Sequence, residues 1–233
     1  MINKKNKVVL ITGANRGLGL SISKRLSEKG YSVINGIRRT DNEIENAVYI
    51  EMIDIDGIKQ TVNKILEKYS RIDILINNAG VYIDDPRKGF GNILRLNQDI
   101  LEYTLRVNYI GPFTLINLIV PKMLEQGYGR IINISSGMGR LYEFDEYSYA
   151  YRASKLLMNT LSISYGKIFE ELEKDIAITS ICPGWLKTDM GTLQGVLDPE
   201  FVAANIVKIL DKEKKAINGK FIRGENELDW CRK

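Results

Sequence analysis

Apolar runs of strand length alternate with amphipathic stretches of helix length from one end of this 233-residue chain to the other, and few folds accommodate that alternation. Val8-Val9-Leu10-Ile11, Ile74-Leu75-Ile76 and Ile131-Ile132-Asn133-Ile134 are nearly continuous and rich in β-branched residues, as parallel strands covered on both faces must be. Strands are expected at Lys7–Thr12, Tyr31–Ile37, Val48–Ile53, Ile72–Asn77, Arg130–Ser135, Ile176–Cys182 and Lys220–Ile222. Helices are expected at Leu18–Lys29, Ile58–Lys68, Gln98–Val107, Phe113–Glu125, Tyr151–Glu173 and Pro199–Leu210, several of them closed by glycine. Right-handed crossovers stack such units into an α/β fold, a doubly wound parallel sheet between two helical layers, with a ligand crevice beyond the C-terminal strand ends. Residues 1–233 are read as one domain of this kind.

The crevice narrows the search for chemistry, and composition narrows it further. Histidine is absent altogether, which removes the usual general base, most nucleophilic triads and the commonest zinc ligand. No metal site is expected. Only two cysteines occur, Cys182 in a strand-like run and Cys231 near the C-terminus, which suggests neither a disulfide framework nor a thiolate metal site. Acid and base work therefore falls to Tyr, Lys, Asp or Glu. The net charge of +4 comes from Lys and Arg interleaved with Asp and Glu, which speaks for a solvated surface and against a nucleic-acid partner. No stretch approaches the roughly 18 uncharged apolar residues of a membrane span, so a cytoplasmic protein without a membrane partner is expected. The lysine-rich stretch from Lys212 to Lys215 is expected to be a loop.

Directly after the first strand comes Thr12-Gly13-Ala14-Asn15-Arg16-Gly17-Leu18-Gly19, leading into a helix. Glycines there allow a tight turn and close approach of backbone to a diphosphate, while the helix N-terminus offers free N–H groups and positive partial charge. This makes the domain Rossmann-like, with a dinucleotide at the first turn. Charge at the end of the second strand separates the two nicotinamide dinucleotides. An acid there accepts the ribose hydroxyls of NAD and repels the 2′-phosphate of NADP. The stretch reads Asn35-Gly36-Ile37-Arg38-Arg39, without an acid, and Arg38 with Arg16 meets the needs of a phosphate, so NADP(H) is expected over NAD(H).

Among the tyrosines only Tyr151 has a lysine four residues later, in Tyr151-Arg152-Ala153-Ser154-Lys155, a spacing that puts both side chains on one helix face. Free tyrosine and lysine both titrate near pH 10, and a neighbouring ammonium favours the phenolate. Lys155 is expected to supply that charge. The preceding strand ends in Ser135-Ser136-Gly137, which brings a hydroxyl to the crevice edge.

Taken together these motifs resemble the short-chain dehydrogenase/reductase family. Gly13, Gly17 and Gly19 fit its T-G-x-x-x-G-x-G turn, and Asn77-Asn78-Ala79-Gly80 fits its N-N-A-G. Asn108, Ser136, Tyr151 with Lys155, and Pro183-Gly184 then follow in family order over essentially the whole chain. The resemblance implies a nicotinamide cofactor bound by Gly13, Asn15, Arg16, Gly17, Leu18, Gly19, Arg38, Asp54, Ile55, Asn78, Ala79 and Gly80. Asp54-Ile55 is then the adenine contact. Pro183, Gly184, the Leu186 backbone and Thr188 lie over the nicotinamide carboxamide, and Lys155 holds the nicotinamide ribose. It further implies that Tyr151 protonates a carbonyl oxygen as hydride arrives, that Ser136 hydrogen-bonds the same oxygen, and that Asn108 anchors a water chain behind the lysine.

The stretch Pro183-Gly184-Trp185-Leu186-Lys187-Thr188-Asp189-Met190 and the terminal Asn218-Gly219-Lys220-Phe221 followed by Leu228-Asp229-Trp230 resemble the carbonyl-reductase-like branch. Met138, Leu141, Tyr142, Tyr82 and Trp185 are the expected substrate wall, suited to a fairly apolar ketone or aldehyde. The connection from Thr188 to Pro199 offers little chain for a lid. The reading is an NADPH-dependent reductase of a small carbonyl compound. Alcohol oxidation by the same residues and a non-catalytic NADP(H) sensor are the alternatives, and a homo-oligomer through the long helices stays open beside a monomer.

Overall fold

The computed structural model describes residues 7–38, 44–192, 194–229 and 231. Arg39 and Trp230, both singled out above, lie outside the described residues.

Each apolar run becomes a strand of one sheet. In chain order these are β1 (Val8–Thr12), β2 (Ser32–Ile37), β3 (Ala47–Tyr49), β4 (Ile74–Asn77), β5 (Tyr128–Ile134), β6 (Asp175–Ile181), β7 (Phe221–Arg223) and β8 (Asn226–Glu227). The sheet order is β3-β2-β1-β4-β5-β6-β7-β8, parallel from β3 through β7, with β8 folded back antiparallel on β7. The chain winds one way from β1 and the other way from β4. Their adjacent C-terminal ends form the topological switch point where such sheets bind ligands.

The helices are α1 (Gly17–Glu28), α2 (Ile55–Tyr69), α3 (Gln98–Leu105), α4 (Gly111–Gln126), α5 (Tyr149–Glu170), α6 (Pro199–Ile209) and the short α7 (Lys214–Ile217). Alternation along each strand sorts the core into two layers. Val9 and Ile11 of β1 pack with Leu18, Ile22 and Leu26 of α1 and with Ile206 of α6. Val8 and Leu10 point the other way, to Ile58 of α2, Ile116 and Ile119 of α4 and Met158 of α5. Every residue from Val8 to Thr12 is buried, which is why the run shows no polar alternation.

Three expected boundaries shift for local reasons. The third strand covers only Ala47–Tyr49, because the chain turns after Ile50 in a bend closed by Asp54 N–H donating to Glu51 O at 3.0 Å. Asp54 then caps α2 by accepting from Gly57 N at 2.9 Å, so that helix starts three residues before Ile58. No loop separates α3 from α4. A π-helical turn over Arg106–Ile110 joins them, and Asn108 sits in it fully buried. The lysine-rich stretch is not wholly a loop, since Lys214 and Lys215 open α7. Among the described residues no helix is long and apolar enough to cross a membrane.

One buried carboxylate ties the sheet together at its N-terminal edge. Asp73, with no exposure, accepts from Val8 N at 2.8 Å and from the Arg71 guanidinium at 2.8 and 2.6 Å, joining the start of β1 to the start of β4. Replacing Asp73 by Ala leaves the Val8 N–H and one face of Arg71 without an acceptor, and should lower unfolding free energy by about 2–3 kcal/mol. Urea denaturation checks this, and a loss below about 0.5 kcal/mol would show that water replaces the carboxylate without cost.

Candidate active site

The C-terminal strand ends enclose a cavity of about 1540 Å³. One end is built by the glycine turn. Gly13 and Gly17 hold φ of +67° and +51°, in the region that glycine enters without a steric penalty. Gly13, Asn15, Arg16, Gly17 and Leu18 all face the cavity. Gly19 does not. It lies beneath the turn, where a Cβ would come 2.3 Å from Gly13 O and 2.5 Å from Asn78 Nδ2, so its role is close packing of α1 on the turn. Arg16 occupies the N-cap position of α1 without a side-chain capping bond, and the first helical N–H groups therefore remain available to an anion.

Asn78 fixes this turn from the neighbouring strand. Its Nδ2 donates to Thr12 O at 3.0 Å and Gly13 O at 3.1 Å, while Asn78 N and Ala79 N donate to Thr12 Oγ1 at 3.1 Å each. Asn78, Ala79 and Gly80 line the cavity, as do Arg38 from the end of β2 and Pro183, Gly184, Leu186 and Thr188 after β6. Arg38 is exposed and has no ion-pair partner among the described residues. Arg16 differs, because its guanidinium pairs across the mouth with Asp189.

Asp54 and Ile55, expected at the adenine, are not in the cavity wall; Glu51 and Met52 are. The helix start explains the displacement, since Asp54 is consumed as the cap of α2 and the bend before it turns residues 51 and 52 inward. Glu51 Oε1 is buried there without a hydrogen-bond partner. The N-cap pattern Asp54-Ile55-Asp56-Gly57 was the sequence signal for this register.

At the other end, α5 delivers Tyr151 and Lys155 to the cavity, and the end of β5 delivers Ser136. Ser135 Oγ is committed to Lys155 O at 3.2 Å, whereas Ser136 Oγ accepts from Met138 N at 3.2 Å and its hydroxyl meets the Tyr151 phenol. Burial pushes the Tyr151 phenol well above the ordinary tyrosine range, opposed mainly by the Ser136 hydroxyl and the Arg87 guanidinium. Lys155 stands beside this phenol. Its Nζ lies 5.6 Å from the Tyr151 ring centroid and donates to Ile134 O at 2.8 Å, and burial lowers its pKa to about 8.

Asn108 stays outside the cavity wall. Its Oδ1 accepts from Val81 N at 2.8 Å, and its Nδ2 donates to Val81 O at 2.9 Å and Ser154 Oγ at 3.0 Å. It stands behind Gly80, where a Cβ would lie 3.3 Å from Asn108 Oδ1 and 3.6 Å from Lys155 Nζ.

Of the expected substrate wall, Tyr82, Met138 and Trp185 line the cavity, and Tyr82 stacks on Tyr151 with ring centroids 4.3 Å apart. Leu141 and Tyr142 do not, because the short turn Leu141–Glu143 directs Arg140 and Glu143 inward and leaves Leu141 exposed. Charged residues that the sequence reading missed fill this end. Burial alone would raise Asp85, but hydrogen bonds from Arg87 outweigh it and hold the carboxyl below its usual range. The Arg87 guanidinium also lies over the Tyr82 and Trp185 rings and reaches Met190 O and Gly191 O. With Arg16–Asp189 on the far side, these contacts fasten the short segment after β6 over the cavity, so the connection that seemed too short for a cover does line it.

A family profile described as short chain dehydrogenase matches residues 7–195. The chain belongs to the short-chain dehydrogenase family. A 3-oxoacyl-(acyl-carrier-protein) reductase of Thermotoga maritima is 30% identical over 198 residues, covering 80% of this chain and 76% of the relative. The corresponding reductase of Aquifex aeolicus is 32% identical over 204 residues, covering 81% and 77%. Among solved structures, the carbonyl reductase Sniffer of D. melanogaster superposes with a TM-score of 0.84 at 28% identity, covering 97% of this chain and 99% of that one. As a short-chain dehydrogenase of the carbonyl-reductase-like kind, the chain is an oxidoreductase that uses a nicotinamide cofactor on carbonyl or alcohol groups.

The start of the helix that carries the short-chain dehydrogenase tyrosine is capped from a distance. Ser148 has φ +56° and makes no side-chain cap, its hydroxyl instead meeting Tyr82 Oη at 2.6 Å. Buried Asp84 takes the cap's place, accepting from Ala150 N at 2.7 Å and Tyr151 N at 3.3 Å. Burial raises Asp84 above the usual carboxylate range, against the pull of those N–H groups. Asp84→Ala should cost about 1–2 kcal/mol and speed amide exchange at Ala150 and Tyr151 selectively. Unchanged exchange at those two amides would mean that the cap does not hold the helix start.

Proposed function

We propose that the chain is an NADPH-dependent reductase of a small ketone or aldehyde, with Tyr151 as general acid. The protonated state of Tyr151 carries the reductive direction: burial holds the phenol above its ordinary range, so it enters the reaction with a proton to give. The nicotinamide, when bound, supplies the hydride.

The residues present fit a dinucleotide. Uncapped N–H groups of α1 and the Gly13–Gly17 turn suit a diphosphate, and the unpaired Glu51 Oε1 suits the exocyclic amine of an adenine. Glu51 and Met52 accordingly replace Asp54 and Ile55 in the proposed site. Arg38, unpaired at the end of β2, is the proposed partner of the 2′-phosphate, and Arg16 adds charge while held by Asp189. Lys155, with one of its three protons given to Ile134 O, has two more to offer ribose hydroxyls. Pro183, Gly184, Leu186 and Thr188 border the nicotinamide side.

At the reacting carbon, Tyr151 donates its proton to the carbonyl oxygen. The Ser136 hydroxyl, beside the Tyr151 phenol, hydrogen-bonds that oxygen as negative charge develops on it. Asn108 acts at one remove by clamping Val81, beside Gly80 and Lys155.

The test is a panel of ketones and aldehydes followed by loss of NADPH absorbance, with wild type and Tyr151→Phe side by side. Wild type should turn over at least one of them, and Tyr151→Phe should lose about 10²- to 10⁴-fold in kcat while keeping NADPH affinity within about threefold. Retained turnover in that variant would remove the acid role from Tyr151, and tight NADPH binding without turnover of any carbonyl would favour a sensor.

Cofactor choice is separately testable. Arg38→Asp should raise the KM for NADPH roughly ten- to hundredfold and change that for NADH little. Equal effects on both would place Arg38 away from the phosphate.

A further inference from the structure

Ion pairing at the substrate end leaves one guanidinium over among the described residues. Arg87 is held bidentately by buried Asp85, Arg140 by Glu143, and Arg152 by Asp145, so each of these guanidiniums faces a carboxylate of its own. Arg223, the last residue of β7, also lines the cavity and is exposed, yet among the described residues it has no carboxylate partner. Its hydrogen bonds go from Nε at 3.2 Å and Nη2 at 3.0 Å to one atom, the Sγ of Cys182. A cysteine sulfur is a weak acceptor, and a guanidinium has five N–H donors in a fork that matches an oxyanion. The side chain is directed inward all the same: Nη2 lies 2.5 Å from where a Cβ on Gly137 would be.

Gly137 is the neighbour of Ser136, and consecutive Cα atoms are about 3.8 Å apart, so this charge stands close to the proposed carbonyl position. The Arg140 Nε donates to Gly137 O at 3.2 Å, which places a second guanidinium at the same residue. Its charge is offset by Glu143, which leaves Arg223, among the described residues, as the guanidinium here without a carboxylate.

We propose that Arg223 binds an anionic group of the substrate, and that the carbonyl compound is therefore a short oxo compound bearing a carboxylate or phosphate within a few bonds of its carbonyl. This rests on the reductase reading above and narrows its substrate class, replacing the apolar ketone expected from sequence. The β7–β8 hairpin presents the residue. Arg223 pairs with Asn226, and Gly224 at φ +61° makes the turn between them. An oxyanion docked there exchanges a sulfur acceptor for a charge-assisted bidentate pair.

Matched substrate pairs separate the outcomes. Pyruvate and acetoacetate are compared with their methyl esters, and dihydroxyacetone phosphate with dihydroxyacetone, by NADPH oxidation in wild type and in Arg223→Gln, with circular dichroism to confirm that the variant is folded. In wild type, kcat/KM for an anionic member should exceed that of its neutral partner roughly ten- to hundredfold, and in Arg223→Gln that ratio should fall towards one. Preference in the oxo-acid pairs assigns the carboxylate, and preference in the third pair assigns the phosphate. Turnover of neutral members without any anionic preference, or a preference that survives in Arg223→Gln, overturns this inference and leaves the reductase reading standing. Absence of turnover across every pair and across the neutral ketone and aldehyde panel, with NADPH bound, overturns both.

Discussion

Everything at this site is referenced to the contact between β1 and β4, where Asn78 and Ala79 donate four hydrogen bonds to Thr12 and Gly13. A parallel sheet leaves backbone groups unpaired at its C-terminal ends, and the switch point is where two neighbouring strands lead off in opposite directions. Thr12 and Asn78 fill that gap with side chains, which satisfies the backbone and sets the glycine turn at a fixed distance from the loop leading to Tyr82 and Asp84. The same crowding makes Gly19 obligatory, since Asn78 Nδ2 occupies the space its Cβ would need. One polar contact therefore positions the dinucleotide end and the substrate end together.

From that anchor the chain reaches α5, which carries Tyr151, through Val81, Tyr82 and Asp84. Asn108 holds Val81 by both its N–H and its C=O, Tyr82 stacks on Tyr151, and Asp84 caps the first turn of α5. The π-helical turn matters here. It puts Asn108 inward within an otherwise continuous rod, where a regular α-helical turn would place the side chain differently. Because the cap of α5 comes from a loop after another strand, the geometry of Tyr151 depends on tertiary contacts and not on local helix signals.

The fold was legible because burial on both faces writes itself into composition, as in the unbroken Val8–Thr12 and Ile131–Ile134 runs. The glycine turn and the Tyr151–Lys155 pair were legible because their geometry is local, four residues on a helix or one strand-to-helix turn. What escaped was set by competition or by distance. Asp54 looked like an adenine contact, yet an aspartate three residues before a glycine N–H is also a helix cap, and capping prevailed. Leu141 and Tyr142 looked like an apolar wall, yet the pairing of Arg140 with Glu143 turns the backbone so that the charges face inward. Arg87, Arg152 and Arg223 come from three separate elements, and no spacing along the chain announces that they line one cavity.

The opposite shifts of Tyr151 and Lys155 have one origin. Free tyrosine and lysine have nearly equal pKa values, so in water neither has a defined direction of proton transfer towards the other. Burial disfavours whichever form is charged, which is the deprotonated form of tyrosine and the protonated form of lysine. The phenol therefore climbs while the ammonium descends to about 8. Two groups that began level become a phenol that stays protonated at neutral pH and an ammonium nearer its titration range, a difference that arises from the same apolar surroundings acting on opposite charges. The pair thus gains its directionality from being buried together, which a surface Tyr-x-x-x-Lys of identical spacing would lack.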